Sequence, residues 1–311
     1  MENKILALKY RPQEFDDLIG QEVITKTITN AIELNKTPNA YLLTGIRGVG
    51  KTTTARLIAK KLNCLKYSKK KFDCNSKKRC SSCEEISNTN NIDVLEMDAA
   101  SKTGIDDVRE IIESSKYSPV NSRYKIFIID EVHMLSKQAF NGLLKTLEEP
   151  PPSLKFILAT TELNKIPATI QSRSQTLHFR LLDADQIKSH VSTVCEKESF
   201  SIEPAALNRL VQVANGGMRD ALSLLDQLMS ISSSTHISLS DITELLGSLD
   251  ESEMLNFLSQ CFDFQPQAYH LLKDYMDQGM DVFQLLQILL QNYALIFINI
   301  GGKEILKKLR K

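Results

Sequence analysis

Short apolar runs alternate with segments of helical period through about the first 180 residues. Ala40-Tyr41-Leu42-Leu43-Thr44 reads as a buried strand, and residues 94–97, 126–129, 156–159 and 177–179 repeat that character. Between them, residues 52–62 bring Ala55, Ile58, Ala59 and Leu62 onto one face of a helix. Residues 106–115 and 137–147 carry the same period. Strands alternating with helices predict an α/β fold, a parallel sheet covered on both faces. After about Leu182 the strand signal stops. Residues 184–197, 204–214, 219–230 and 240–246 read as helices, the second opened by Pro204, where the missing N–H costs nothing. Residues 230–234 form a Ser-rich break, and a second helical block runs from about Asp250 to the basic end at Lys311. The expected division is an α/β domain over 1–182, a small helical domain over 183–247 and a helical segment over 250–311.

The most apolar stretch, residues 282–300, is interrupted by Gln284, Gln287 and Gln291. Those glutamines make one polar stripe on a helix, which fits a buried helix with a wet edge better than a membrane span. The amino-terminal apolar run is too short for a signal-peptide core, so the chain is expected in the cytoplasm with no membrane partner. Lys+Arg and Asp+Glu both count 38, which excludes a globally basic nucleic-acid coat but not a local patch. No repeat of 20–50 residues is visible, which argues against a solenoid or propeller.

Chemistry enters at the end of the first strand. Gly45-Ile46-Arg47-Gly48-Val49-Gly50-Lys51-Thr52, followed by Thr53, satisfies G-x-x-x-x-G-K-[ST]. Its glycines let successive N–H groups face phosphate oxygens, Lys51 reaches the β- and γ-phosphates, and the Thr52 hydroxyl is a Mg²⁺ ligand. A helix that starts there presents its positive end to the anion. The strand over 126–129 ends in Asp130-Glu131. Asp130 is placed to hold Mg²⁺ through water, and Glu131 to orient or deprotonate an attacking water. The pair argues for hydrolysis of a bound nucleotide, with a non-hydrolysing nucleotide-binding scaffold as the alternative.

Cys64, Cys74, Cys80 and Cys83 fall in an insert over about 64–83, between the phosphate-loop helix and the next strand. Cys80-Ser81-Ser82-Cys83 is half of a zinc knuckle, and four thiolates can close a tetrahedral structural Zn²⁺ site. Lys66, Lys69, Lys70, Lys71, Lys77, Lys78 and Arg79 make the insert basic, fit either to touch nucleic-acid phosphates or to stand in solvent. Cys195 and Cys261 sit alone on helical patterns and read as core.

Together these residues resemble the gamma/tau subunits of bacterial DNA polymerase III, AAA+ clamp-loader ATPases. The likeness runs from about Leu8 to Asp250, and more weakly beyond. It is carried by Tyr10-Arg11-Pro12, Phe15-Asp16-Asp17-Leu18-Ile19-Gly20-Gln21, the phosphate loop, the four cysteines and Asp130-Glu131-Val132-His133. It continues in Leu143-Leu144-Lys145-Thr146-Leu147-Glu148-Glu149-Pro150-Pro151, Ala159-Thr160-Thr161, Ser172-Arg173 and Arg219-Asp220-Ala221-Leu222. The resemblance implies that Arg11, Pro12 and Ile19 line an adenine pocket and that Thr161, rather than Thr160, is a first sensor near the γ-phosphate. It also implies that Arg219 is a second sensor, reaching from a helical lid, and that Arg173 is a finger inserted into a neighbouring subunit's site. ATP, Mg²⁺ and Zn²⁺ are the implied ligands. Other clamp-loader subunits in a hetero-pentameric arc, self-association, the sliding clamp and primed-template DNA are the implied partners. Ser174 stands where this family usually has Cys, and the Cys74–Cys80 spacing is longer than usual. The chain stops at Lys311, so the helical collar is expected to be incomplete, and helicase or polymerase contacts through a long tail are not expected. A branch-migration helicase type of AAA+ motor is the other enzyme reading.

Overall fold

The computed structural model describes residues 5–68, 71–72, 74, 78–101, 105–232, 234–246, 257, 260–261, 265–277 and 290. By its internal contacts the chain forms two compact units, residues 1–199 with 210–226, and residues 200–209 with 227–311.

The first unit is built on five parallel strands, β1 (Ala40–Thr44), β4 (Val94–Asp98), β5 (Lys125–Asp130), β6 (Leu154–Thr160) and β7 (Gln175–His178), in the order β4-β5-β6-β1-β7. The numbering leaves β2 (Tyr67–Ser68) and β3 (Lys71–Phe72) for a short antiparallel pair in the cysteine insert. Register along the central strands is regular, from Ala40 beside Phe156 to Thr44 beside Thr160, and Asp98 lies beside Asp130. The sheet therefore ends along one edge in Thr44, Asp98, Asp130, Thr160 and His178.

The period of two sorts the strand side chains onto two faces. Tyr41, Leu43, Ile126, Ile128 and Ile157 pack with helices α2 (Glu22–Glu33) and α3 (Lys51–Asn63). Leu42, Phe127, Ile129, Phe156 and Leu158 pack on the opposite side with α6 (Lys137–Glu148), through Phe140, Leu143 and Leu147. Both faces are buried, as the continuous apolar runs require. The rings of Phe127 and Phe156 stack with centroids 5.6 Å apart. The edge strand β4 is tied to α3 by a bidentate pair, Arg56 Nε and Nη2 to Glu96 at 2.7 and 2.8 Å.

Helix starts follow local chemistry. Ser136 accepts from the Ala139 N–H at 3.2 Å and caps α6. Asp183 and Gln186 make a capping box at the start of α8 (Ala184–Lys197). Helices α9 (Pro204–Ala214) and α10 (Met218–Ile231) supply residues to both units.

In the second unit, β8 (Ser201–Ile202) and β9 (His236–Ile237) pair in parallel, with Ser201 beside His236. The pair is extended by Ser201 N–H to Thr235 O (2.8 Å) and Glu203 N–H to Ile237 O (2.9 Å). These strands correct the expectation that strands end near Leu182. Two residues are too few for any periodic signal, and only the pairing defines them. The Glu203 carboxylate also accepts from the first N–H of α11 (Leu239–Leu246) at 3.0 Å. A further helix spans Gln267–Asp277. The apolar stretch 282–300 lies outside the described residues except at Leu290. Among the described residues no helix is long and apolar enough to cross a membrane.

Candidate nucleotide site

Asp130 and Glu131 follow β5, Thr161 follows β6, and the phosphate loop joins β1 to α3. In a parallel sheet all of these fall at the carboxyl edge, where open α/β folds form their ligand crevices. Glycine is needed within the loop. Gly48 (φ 83°) and Gly50 (φ 98°) hold left-handed backbone, and a Cβ on Gly48 would stand 2.9 Å from Asp220 Oδ2. Gly50 is the residue before α3, so the turn brings the first N–H groups of the helix to the loop.

Lys51 is buried, and its Nζ donates to the carbonyls of Gly45 (2.8 Å) and Ile46 (2.7 Å). Burial pushes its ammonium pKa down, opposed by the Glu131 and Asp130 charges. The Thr52 hydroxyl donates to Asp130 Oδ2 at 2.5 Å, so the two expected Mg²⁺ ligands already touch. Glu131 adopts left-handed backbone (φ 46°, ψ 44°), and its N–H donates to Asp130 Oδ1 at 3.0 Å. Its Oε2 accepts from the Thr161 N–H (3.2 Å) and hydroxyl (3.0 Å). His133 extends this set, with Nδ1 3.3 Å from Glu131 Oε2 and 3.1 Å from Thr160 Oγ1. Thr160 itself is fully buried.

A cleft of about 600 Å³ opens over the loop. Arg11, Pro12 and Ile19 line it, as do Arg47, Val49, Thr53 and Arg219. Burial lowers the Arg11 pKa, and nearby Arg56 and Arg219 push the same way while Glu96 opposes them. Buried Lys51 and half-buried Arg11, with exposed Arg47 and Arg219 nearby, are a donor set that an anionic phosphate chain would satisfy. Arg219 sits in the first turn of α10, and its N–H donates to the Gly48 carbonyl at 3.3 Å. His190 on α8, with Met218 and Leu222 on α10, adds lining that sequence reasoning missed. Nothing in their spacing marks them, because they enter the cleft from a different part of the chain.

Arg173 does not line this cleft. Its Nη2 donates to Glu148 Oε1 (2.7 Å) at the end of α6, and its Nη1 to the Thr169 carbonyl (3.0 Å). Both partners in the ion pair are well exposed, at 35 and 50% of the side chain. Glu148 was visible only as part of a motif, with no signal that it would meet Arg173.

The four cysteines come together, with their sulfurs all within 4.8 Å of one another. The Cys80 N–H donates to Cys74 Sγ at 3.3 Å. Burial pushes the Cys64 thiol up to about 11 and raises Cys83 as well, with the neighbouring sulfurs adding to the effect on Cys83. Burial also works against Cys80, but hydrogen bonds from the backbone of Cys83 and Leu65 outweigh it and bring that thiol to about 7. A cluster this close cannot hold four thiolates without a cation. The set matches the soft, closed, tetrahedral shell of a structural Zn²⁺. Cys195 is buried and Cys261 exposed, so the core expectation holds for the first and not the second.

The sequence profile described as "DNA polymerase III, delta subunit" matches residues 20–183, and that of the "DNA polymerase III clamp loader subunit, ATPase lid domain" matches 186–234. The chain is 41% identical over 280 residues to the DNA polymerase III subunit gamma/tau of Mycoplasma genitalium, covering 90% of this chain and 46% of that protein. It is 42% identical over 258 residues to the tau subunit of Escherichia coli, covering 83% of this chain and 39% of that protein. With the gamma subunit of Buchnera aphidicola (subsp. Schizaphis graminum) it shares 47% over 249 residues, which is 79% of this chain and 67% of that subunit. The chain thus spans less than half the length of the gamma/tau and tau relatives. Among solved structures, the Thermotoga maritima RuvB Holliday junction branch migration motor matches with a TM-score of 0.56 at 21% identity, covering 82% of this chain and 80% of that one. At that identity the likeness shows the fold alone, an α/β domain on a parallel sheet. With identity of this level spread over most of the chain and over two thirds of a gamma subunit, this protein belongs to the DNA polymerase III gamma/tau subunit family.

Proposed function

We propose that the chain is an ATP-hydrolysing motor subunit of a bacterial DNA polymerase III clamp loader. In this reading it works in the cytoplasm with other clamp-loader subunits, a sliding clamp and primed-template DNA. ATP binding orders an arc of subunits that opens the clamp, and hydrolysis on DNA releases it closed. The observation that carries the reading is the meeting, at one sheet edge, of Thr52 with Asp130 and of Glu131 with Thr161, beside buried Lys51.

That geometry, together with the family resemblance, supports the following roles. The loop N–H groups and Lys51 hold the β- and γ-phosphates once Lys51 leaves the Gly45 and Ile46 carbonyls. Thr52 and Asp130 would hold Mg²⁺, which supplies charge neutralisation at the phosphates. Glu131 accepts a proton from, or orients, the attacking water, and Thr161 sets its carboxylate. Arg11, Pro12 and Ile19 bound the base, and Arg219 reaches the phosphates from α10. Arg173 acts in trans, in a neighbour's site, as its absence from its own cleft allows. The cysteine cluster holds a structural Zn²⁺. The division into an ATPase domain (1–182), a lid (183–247) and a collar segment (250–311) belongs to the same proposal.

The test is steady-state ATP hydrolysis by the chain mixed with clamp-loader partners, with and without sliding clamp and primed DNA. Strong stimulation only when both are present, abolished by Lys51→Ala, is expected. Hydrolysis indifferent to the clamp, or a Lys51→Ala variant that binds ATP and loads clamps like the parent, would overturn the assignment.

A further inference from the structure

One amide joins the cysteine insert to the cleft. Gln13 Oε1 accepts from Lys60 Nζ (3.1 Å) and from Arg79 Nη2 (3.2 Å). Lys60 Nζ also reaches the Gln13 carbonyl at 3.3 Å. Gln13 Nε2 donates to the carbonyl of Arg11 at 3.0 Å. The two cations can only donate, so they fix the amide oxygen toward themselves and leave the nitrogen for Arg11.

Each contact leads to a different part of the molecule. Arg79 directly precedes Cys80. Lys60 is a buried residue of α3, the helix that begins at Lys51, and its carbonyl accepts the Cys83 thiol at 3.7 Å. Arg11 and Pro12 line the cleft. A cavity of about 50 Å³ lies at this junction, lined among others by Gln13, Lys60, Arg79, Cys64, Cys74 and Cys83. A buried lysine needs its polar partners, so Gln13 is held wherever Lys60 and Arg79 stand.

We propose that Gln13 is a positioning residue that couples metal occupancy of the four-cysteine cluster to nucleotide affinity. Metal bound by the cysteines steadies Cys80, and with it the adjacent Arg79, while the Cys83 thiol gives up its bond to the Lys60 carbonyl as it loses its proton to the metal. Lys60 and Arg79 hold the Gln13 amide, and the amide holds the backbone of Arg11 at the edge of the cleft. The insert then braces the nucleotide pocket in addition to closing its own small fold. This inference rests on reading the cysteines as a Zn²⁺ site and the cleft as the ATP site. A loop tie without coupling would change stability alone, whereas coupling is reciprocal, so each ligand must alter the affinity of the other.

The experiment measures the dissociation constant of a fluorescent ADP analogue for the full chain, zinc-loaded and chelator-stripped. Zinc content is read by elemental analysis and fold by circular dichroism. In the parent, stripping is expected to weaken binding about fivefold or more. In Gln13→Ala the difference should fall below about twofold. Gln13→Glu keeps an acceptor for both cations and loses the donor to Arg11. It should retain the parent's zinc content and melting temperature and lose the coupling. For a chain that unfolds when stripped, the reciprocal measurement is the rate of zinc loss to a chelator, which saturating ADP should slow in the parent and not in Gln13→Glu. Equal coupling in the parent and both variants, or none in the parent, overturns the proposal. A chain with no zinc, or one that binds no nucleotide, overturns it too, and shows directly which underlying reading failed.

Discussion

Thr161 determines where Glu131 points. Two donors from one residue converge on Glu131 Oε2, and the glutamate's own backbone is held in a left-handed conformation that costs a non-glycine residue about 1–3 kcal/mol. Such strain persists only where the surroundings impose it, and here Asp130 and Thr161 do so. Glu131→Gln should lower steady-state hydrolysis about 100-fold or more while ATP still binds. Thr161→Val removes the hydroxyl and leaves the N–H, so its loss of kcat should be smaller, about tenfold, with nucleotide affinity unchanged. Comparing kcat with a directly measured Kd separates these from a binding defect. A different residue tests the core. The Tyr41 hydroxyl is fully buried without a hydrogen-bond partner in β1. Tyr41→Phe should therefore leave stability unchanged or raise it by about 1 kcal/mol in urea unfolding, since nothing is lost but an unsatisfied group.

At the scale of elements, the sheet and its flanking helices bring the groups together. Strands β5 and β6 deliver Asp130 and Thr160 to the same edge because their register is parallel and in step. That register depends on apolar packing such as Phe127 against Phe156. Phe156→Ala should cost about 3–5 kcal/mol, read as a lowered denaturant midpoint. The Arg173–Glu148 pair behaves oppositely. It joins α6 to α7 (Ala168–Gln171) through its flanking residues, yet both side chains are exposed, and such pairs contribute about 0–1 kcal/mol. Glu148→Ala should barely change stability. Arg173→Ala should be equally harmless to folding and still abolish the clamp- and DNA-stimulated hydrolysis of a mixed assembly. A large stability loss in Arg173→Ala would assign the arginine a structural role instead.

For the molecule as a whole, the cysteine cluster makes a pH-dependent prediction. Thiols whose pKa values burial raises, Cys64 to about 11 and Cys83 further, hold their protons at neutral pH when no cation is present. Zinc must displace those protons, so the apparent zinc affinity should rise as pH increases and fall as it decreases. Chelator competition at pH 6.5 and pH 8 checks the sign. A pH-independent affinity would mean that the ligands are already thiolates. The unit that carries the cluster also carries the cleft, so zinc removal is expected to be felt beyond the insert.

Much of this protein is written locally. The five parallel strands, the helices after them, the phosphate loop, the acidic pair and the cysteines all belong to contiguous or closely spaced residues. Their signals are periodicity, glycine at turns and ligand spacing, which need no knowledge of distant contacts. The fold class, the phosphate-loop motif, the acidic pair and the four clustered cysteines were therefore legible in the sequence alone. Tertiary structure decided what those residues meet. Arg173 finds Glu148, 25 positions earlier; Glu131 finds Thr161, 30 positions later; and Gln13 finds Arg79, 66 positions on. The paired two-residue strands β8 and β9 come from positions 35 apart in sequence. Such contacts depend on the order and register in which distant segments pack, and neither periodicity nor spacing along one segment encodes that order.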